Sequence, residues 1–457
     1  MIRFFSLAIS ALALCSAPLA AQDIVITGAT LAKGDGSDPI TNATVVVRNG
    51  RVVAAGSDVI APAGVPVLDG TDSWVTPGLF ASITNLGLVD VDAVSGSNDV
   101  AAGDSPFSAA LDVTPAINPA AQDFGYSRAG GVTRASVTPT AGSSIFAGQG
   151  AVIDLGSDYD AVTRPRAFQY VEMGERGARL AGGSRTSVYA LLLNALREAG
   201  QYGDDAQLRT AGRNGSVDTG DDLPLDSRLL GRAEREGDVL LTRFDAAALV
   251  PVVRGDQKLY VAVHRANDIL SVLGLRDAFP DLDLVLIGAT EGWLVADRIA
   301  AAGVPVITGA LIDLPESFER LAATQSNVGR MVDAGVTVAI GGYESSGDHP
   351  RNLPQQAGNM VALNNVPGAT GLSWGEAFAA ITSIPATIGG MDGRAGVLVP
   401  GAHGDLVIWD GDPLEVSSAP VRVFIDGVEQ PLDNHQTRLR ERYRSLDESQ
   451  LPPAYRR

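Results

Sequence analysis

Sulfur and imidazole are scarce in this chain. Its 457 residues include one cysteine, Cys15, and four histidines, His264, His349, His403 and His435. Cys15 falls inside an N-terminal leader, so the cleaved chain has no cysteine. That excludes disulfides and a thiol nucleophile, whatever the compartment. Positive charge is short as well: 34 Lys and Arg stand against 53 Asp and Glu, a net charge of −19. Phosphate backbones are bound through clustered Lys and Arg, so nucleic acid is excluded as a partner. Beyond the leader no apolar run is long enough to span a bilayer, which leaves no transmembrane anchor. A Ser-His-Asp arrangement, a P-loop and a dinucleotide fingerprint are missing too. The glycines between 87 and 103 lack the strand–turn–helix setting that such a fingerprint needs.

What is present begins with the leader. Arg3 precedes an apolar run over 4–14, and the small residues Ala17, Ala20 and Ala21 precede Gln22. This is the pattern of a secretory signal cleaved near Ala21, so residues 1–21 read as a signal peptide and the mature chain as periplasmic or secreted. A lipoprotein reading of Cys15 is disfavoured, because Leu14 is bulky where a small residue is needed before a modified cysteine.

Hydrophobic residues make up 45% of the chain, which suits an ordinary globular α/β protein. The length suits one large barrel plus a smaller module. Residues 22–75 read as short strands, with Asn49-Gly50 as a two-residue hairpin between strands near 43–48 and 51–55. Over 76–392 strand-like runs alternate with helical ones. Strands are predicted near 131–137, 258–264, 282–287, 304–308 and 335–340, and helices over 186–199, ended by Gly200, over 293–302 and over 318–334. Such alternation predicts a parallel sheet closed into a (β/α)8 barrel. Residues 90–122 read as a long insertion and 201–236 as a polar helical excursion. The β pattern returns over 393–432, where the chain is expected to complete the N-terminal module as a composite β-sandwich. Residues 433–457 form a charged tail, helical over 437–446.

The stretch 75–87, which carries Thr76-Pro77-Gly78-Leu79, resembles the first barrel strand of the metal-dependent amidohydrolase superfamily. Further pieces resemble its imidazolonepropionase-like branch in order and spacing: residues 49–56, 130–133, 264–269, 289–293, 334–341, 382–386 and 396–407. The resemblance covers nearly all of the mature chain and implies the barrel with its composite sandwich. It also implies hydrolysis of C–N bonds by water activated on one or two divalent metals such as zinc. In such a site a His-x-His pair on the first strand delivers two imidazoles to one metal, because residues i and i+2 point the same way. Later strands add histidines, and the last supplies an Asp that serves as base.

Here the family's ligand positions are filled otherwise. The first pair is Ile83 and Asn85; the ligand before His264 is Ala262; the next histidine position is Gly288; the Asp position is Tyr343; the bridging-lysine position is Tyr170. The reading is therefore a pseudoenzyme without a metal cofactor, its pocket lined by Ile83, Asn85, Gly288, Tyr343 and His349 and open to a small-molecule or peptide-like ligand. The alternative is an active C–N hydrolase with a site rebuilt on His264 and Glu344, with Asp348 and His349 nearby. A third reading is structural, as a homo-oligomer or in a hetero-assembly with an active homologue. Against these stand plainer roles: His264 as a packed remnant, 344–349 as a solvated loop, Glu291 and Trp293 as capping and packing residues, and Asp405 as a turn residue.

Overall fold

The computed structural model describes residues 21–91, 94–211, 240–341 and 349–444. Residues 1–20, with Cys15, lie outside them, as do Tyr343, Glu344, Asp348 and the last part of the tail. In chain order the strands are β1 (Ile24–Leu31), β2 (Ile40–Arg48), β3 (Arg51–Gly56), β4 (Val67–Asp69) and β5 (Trp74–Pro77). Then come β6 (Leu79–Thr84), β7 (Val132–Val137), β8 (Phe146–Asp154), β9 (Val162–Glu172), β10 (Lys258–Val263) and β11 (Leu284–Gly288). Last are β12 (Val306–Thr308), β13 (Val338–Ile340), β14 (Leu406–Trp409), β15 (Pro420–Ile425) and β16 (Val428–Gln430).

One sheet is built from both ends of the chain, in the order β16-β15-β14-β5-β1-β2-β3 with β4 on β1. The hairpin between β2 and β3 closes at Asn49 (φ 49) and Gly50 (φ 72), with Arg48 opposite Arg51. Positive φ at both central residues is what a type I′ turn requires, and Asn-Gly supplies it at low cost. The C-terminal strands join through β14 on β5, where Trp409 Nε1 donates to Thr76 Oγ1 at 3.0 Å.

The second sheet runs β6 to β13 in sequence order, and its ends meet where a β-carbon at Gly341 would lie 3.1 Å from Ser82. The barrel is thus nearly closed. It departs from eight parallel units at one place: β8 runs antiparallel to both β7 and β9. Seven residues separate β8 from β9, too few for a helical crossover, so the chain turns back as a hairpin. The helix expected to end at Gly200 continues as Arg185–Ala211. Gly200 and Gly203 lie within it and let the helix Arg243–Val253 approach: a β-carbon at Gly203 would sit 3.0 Å from Val250. The helix expected over 318–334 is confined to Asn327–Asp333. The tail helix is His435–Tyr443. Among the described residues no helix is long and apolar enough to cross a membrane.

Outward side chains of the barrel strands, such as Leu259, Val261 and Val263, pack with Val188, Leu192 and Leu196 of the surrounding helix. Inward ones form a separate core in which Phe168 stacks on Tyr260, centroids 4.0 Å apart and planes 6° apart. Each such buried side chain contributes about 1.5–3 kcal/mol. Below this core, Arg134 on β7, almost fully buried, is held by Asp405 at 2.6 Å and Asp426 at 2.9 Å. His403 Nδ1 bonds the same Asp426. Asp405, expected as a turn residue, is instead the counter-ion that ties the barrel to the composite sheet.

Candidate functional site

A cavity of about 450 Å³ opens at the C-terminal ends of the barrel strands, the end at which barrel proteins place their chemistry. Strand alternation puts Ile83, Tyr170, Ala262, Ile287 and Ile307 on its floor, continuous with the inward core. Three of these floor residues, Ile83, Tyr170 and Ala262, occupy positions where the family resemblance places metal ligands.

Ile83 sits with φ +54 inside β6, whose pairing with β7 breaks register between Ala81 and Thr84. A β-branched residue in the left-handed region is strained by about 1–3 kcal/mol and persists only where its surroundings hold it. Here the hold is burial: 6% of the side chain is exposed.

His264 follows β10 and lines the cavity. Its Nδ1 lies 2.9 Å from Thr290 Oγ1, and Arg320 Nη2 lies 3.0 Å from its Nε2. A guanidinium can only donate, so Nε2 accepts and the proton sits on Nδ1, which donates to the buried Thr290. Burial first, and the Arg320 charge second, lower the His264 pKa to about 3. The ring is therefore neutral at physiological pH, with its cavity-side lone pair occupied. Gly288 makes room for it: a β-carbon there would come within 2.3 Å of the ring.

The rim is charged. Glu172 closes β9 beside Ala262 of β10, and Arg176 approaches it at 3.5 Å. Burial, with Glu319 adding to it, raises the Glu172 pKa. Glu319 accepts from the backbone N–H of Glu175 at 2.6 Å and pairs with Arg185 at 3.2 Å, yet burial raises its pKa too. Two buried hydroxyls on the wall, Thr138 Oγ1 and Thr308 Oγ1, have no hydrogen-bond partner among the described residues.

Of the residues singled out from sequence, the structure gathers Ile83, Gly288 and His264 on one cavity. Asn85 lies past the end of β6 and off the cavity wall, its carbonyl accepting from the Leu88 N–H at 2.9 Å. His349 is likewise off the wall and packs edge-on against Tyr126, 5.9 Å between centroids. Tyr343 and Glu344 lie outside the described residues. Glu291 caps the helix Ala266–Leu273 by accepting from the Ala266 N–H at 3.0 Å and also holds the Ala322 N–H at 3.0 Å. Glu172, Arg320 and Glu319 are cavity residues not singled out from sequence, and the buried Thr290 orients His264 from outside the cavity lining. Of these Glu172 had a readable signal, since it ends an apolar strand at the catalytic face of a barrel. The others are brought in by tertiary contacts.

Among the described residues, one group of three carries metal-type donor atoms within 4.8 Å of one another: His403, Asp405 and Asp426. Arg134 already supplies the positive charge there.

Comparison with known proteins agrees with this architecture. The structure superposes on an amidohydrolase from Thermotoga maritima MSB8 with a TM-score of 0.75 and 23% identity, covering 89% of this chain and 99% of that one. Phenylurea hydrolase B is a more distant match, with a TM-score of 0.51 and 17% identity over 89% of this chain and 96% of that one. The fold is that of the amidohydrolases. Residues 282–429 match the model of the Amidohydrolase family. A stretch of 60 residues is 47% identical to amidohydrolase tasK of Hapsidospora irregularis; it spans 13% of this chain and 6% of that protein.

Proposed function

We propose that this chain is an amidohydrolase-fold protein that binds a small ligand in its barrel mouth without a divalent metal. The observation that carries this reading is the state of His264: its Nε2 lone pair is taken by Arg320, whose fixed charge stands where a cation would have to approach. A zinc or related ion needs three or four N, O or S donors at about 2.0–2.3 Å. At the family's ligand positions the described residues offer Ile83, Ala262 and Gly288 instead, and among the described residues His264 and the rim glutamates form no group of three donor atoms within 4.8 Å. This donor set does not fit the family's metal.

Rebuilt hydrolysis through His264 and Glu344 is less well supported, because a general base needs the lone pair that Arg320 holds. The fold remains that of C–N hydrolases, so amides and related compounds are the natural ligand class to screen. With the leader at 1–21, we place the protein outside the cytoplasm. Equilibrium dialysis against zinc tests the reading. Wild type should retain no zinc that is lost in His264→Ala; zinc retained by wild type and lost in that variant would overturn the reading. A His403→Ala control separates any binding at the sheet junction.

A further inference from the structure

The charges lining the cavity are unevenly satisfied. Of the arginines, Arg320 bonds His264 and lies 3.6 Å from Glu316, while Arg176 donates to the Ala141 carbonyl at 2.7 Å and faces Glu172. Arg179 points from the exposed rim. Among the described residues four carboxylates, Glu172, Glu175, Glu316 and Glu319, line the same cavity, and Glu319 pairs in addition with Arg185 at 3.2 Å. Burial raises the pKa of both Glu172 and Glu319, and a neighbouring carboxylate adds to it in each case, Glu319 for Glu172 and Glu175 for Glu319. Glu172 is the best placed of them toward the floor, its side chain 13% exposed and its strand position level with the small Ala262. A cation brought next to it would offset the cost of burying its charge, at low effective dielectric where charge pairing counts most.

The rest of the wall restricts what can carry that cation. The floor is isoleucine and alanine, and it takes an apolar body. Thr138 and Thr308, 2% and 1% exposed, lie on the same wall, and their buried hydroxyls have no partner among the described residues. A buried hydroxyl without a partner costs about 1–3 kcal/mol, so a ligand with a hydrogen-bonding edge gains by meeting them. We propose that the ligand is a small organic amine, its ammonium against Glu172, its apolar body over Ile83, Ile287 and Ile307, and its polar edge on Thr138 and Thr308. The inference rests on the metal-free binding reading above and names the ligand class of the same site.

The test is calorimetric titration of the full chain with three probes of similar shape: benzylamine, benzyl alcohol and phenylacetate. Benzylamine should bind, at least about tenfold tighter than either of the others, and Glu172→Gln should remove that preference. Thr308→Val should weaken all probes that reach the hydroxyl and leave the order of preference intact. Should Glu172→Gln fail to fold, Glu175→Gln serves, with a smaller loss of benzylamine affinity expected. Phenylacetate binding as tightly as benzylamine, no benzylamine binding, or a benzylamine preference untouched by the glutamate variants would each overturn the proposal. If zinc is retained at His264, the underlying reading fails; if the protein is zinc-free and does not select the amine, this inference fails alone.

Discussion

Gly288 and His264 are mutually dependent: the ring occupies the space that any side chain at 288 would need, with 2.3 Å between its Cε1 and the β-carbon position. Gly288 also has φ +88, so it is required on two counts. Gly288→Ala should cost about 2–4 kcal/mol in urea denaturation. In a His264→Ala background the same change should cost less, leaving only the backbone strain. Equal costs in both backgrounds would deny the steric coupling.

Acid should destabilise the protein through His264. Its pKa is lowered from 6.5 to about 3 by burial and then by Arg320. Between those values the unfolded chain takes up a proton that the folded chain refuses, so the contribution is full above about pH 6.5 and is lost as pH falls toward 3. His264→Leu should flatten stability against pH in that window. In Arg320→Ala the imidazole titration followed by NMR should move upward but stay below 6.5, because burial is the larger cause.

The junction of barrel and composite sheet rests on Arg134, 1% exposed, and Asp405, 2% exposed. Although burial pushes the other way, His403 and Arg134 hold the Asp426 carboxyl down at about 2, so the network stays charged at neutral pH. Asp405→Ala leaves a buried guanidinium short of its main partner and should cost about 3–5 kcal/mol by chemical denaturation. Arg134→Met with Asp405→Leu together should cost much less than the single change.

Strain at Ile83 predicts an unusual truncation series. Burial alone sets the cost of a buried Ile→Ala at about 2–5 kcal/mol. Ile83→Ala also relieves a β-branched side chain at φ +54, so it should cost about 1 kcal/mol less than Ile287→Ala on the facing wall, where φ is not positive. Equal costs would show that the strain is not felt.

Much of the fold was legible because its signals are local. Asn49-Gly50 specified its hairpin by φ alone, and the apolar runs at β10, β11 and β13 read as strands without further context. No strand is predicted over 146–172, because two glycines and a glutamine interrupt β8 and β9 has two arginines and a proline near its start. Gly200 was read as a helix stop, whereas the packing of Arg243–Val253 uses it as a place for close approach. At the site, the residues that sequence could name were those that replace family ligands, Ile83 and Gly288. Arg320 and Glu319 reach the cavity from an irregular segment, and no periodicity announces that. His349, adjacent in sequence to the expected site, is carried off to Tyr126.

The central claim is that the barrel mouth works without a divalent metal. Elemental analysis of the mature protein, purified without chelator from zinc-supplemented medium beside His264→Ala and His403→Ala, tests it most directly. The account predicts less than about 0.1 equivalent of zinc, manganese or iron per chain, unchanged in His264→Ala. About one equivalent per chain that disappears in His264→Ala would contradict it.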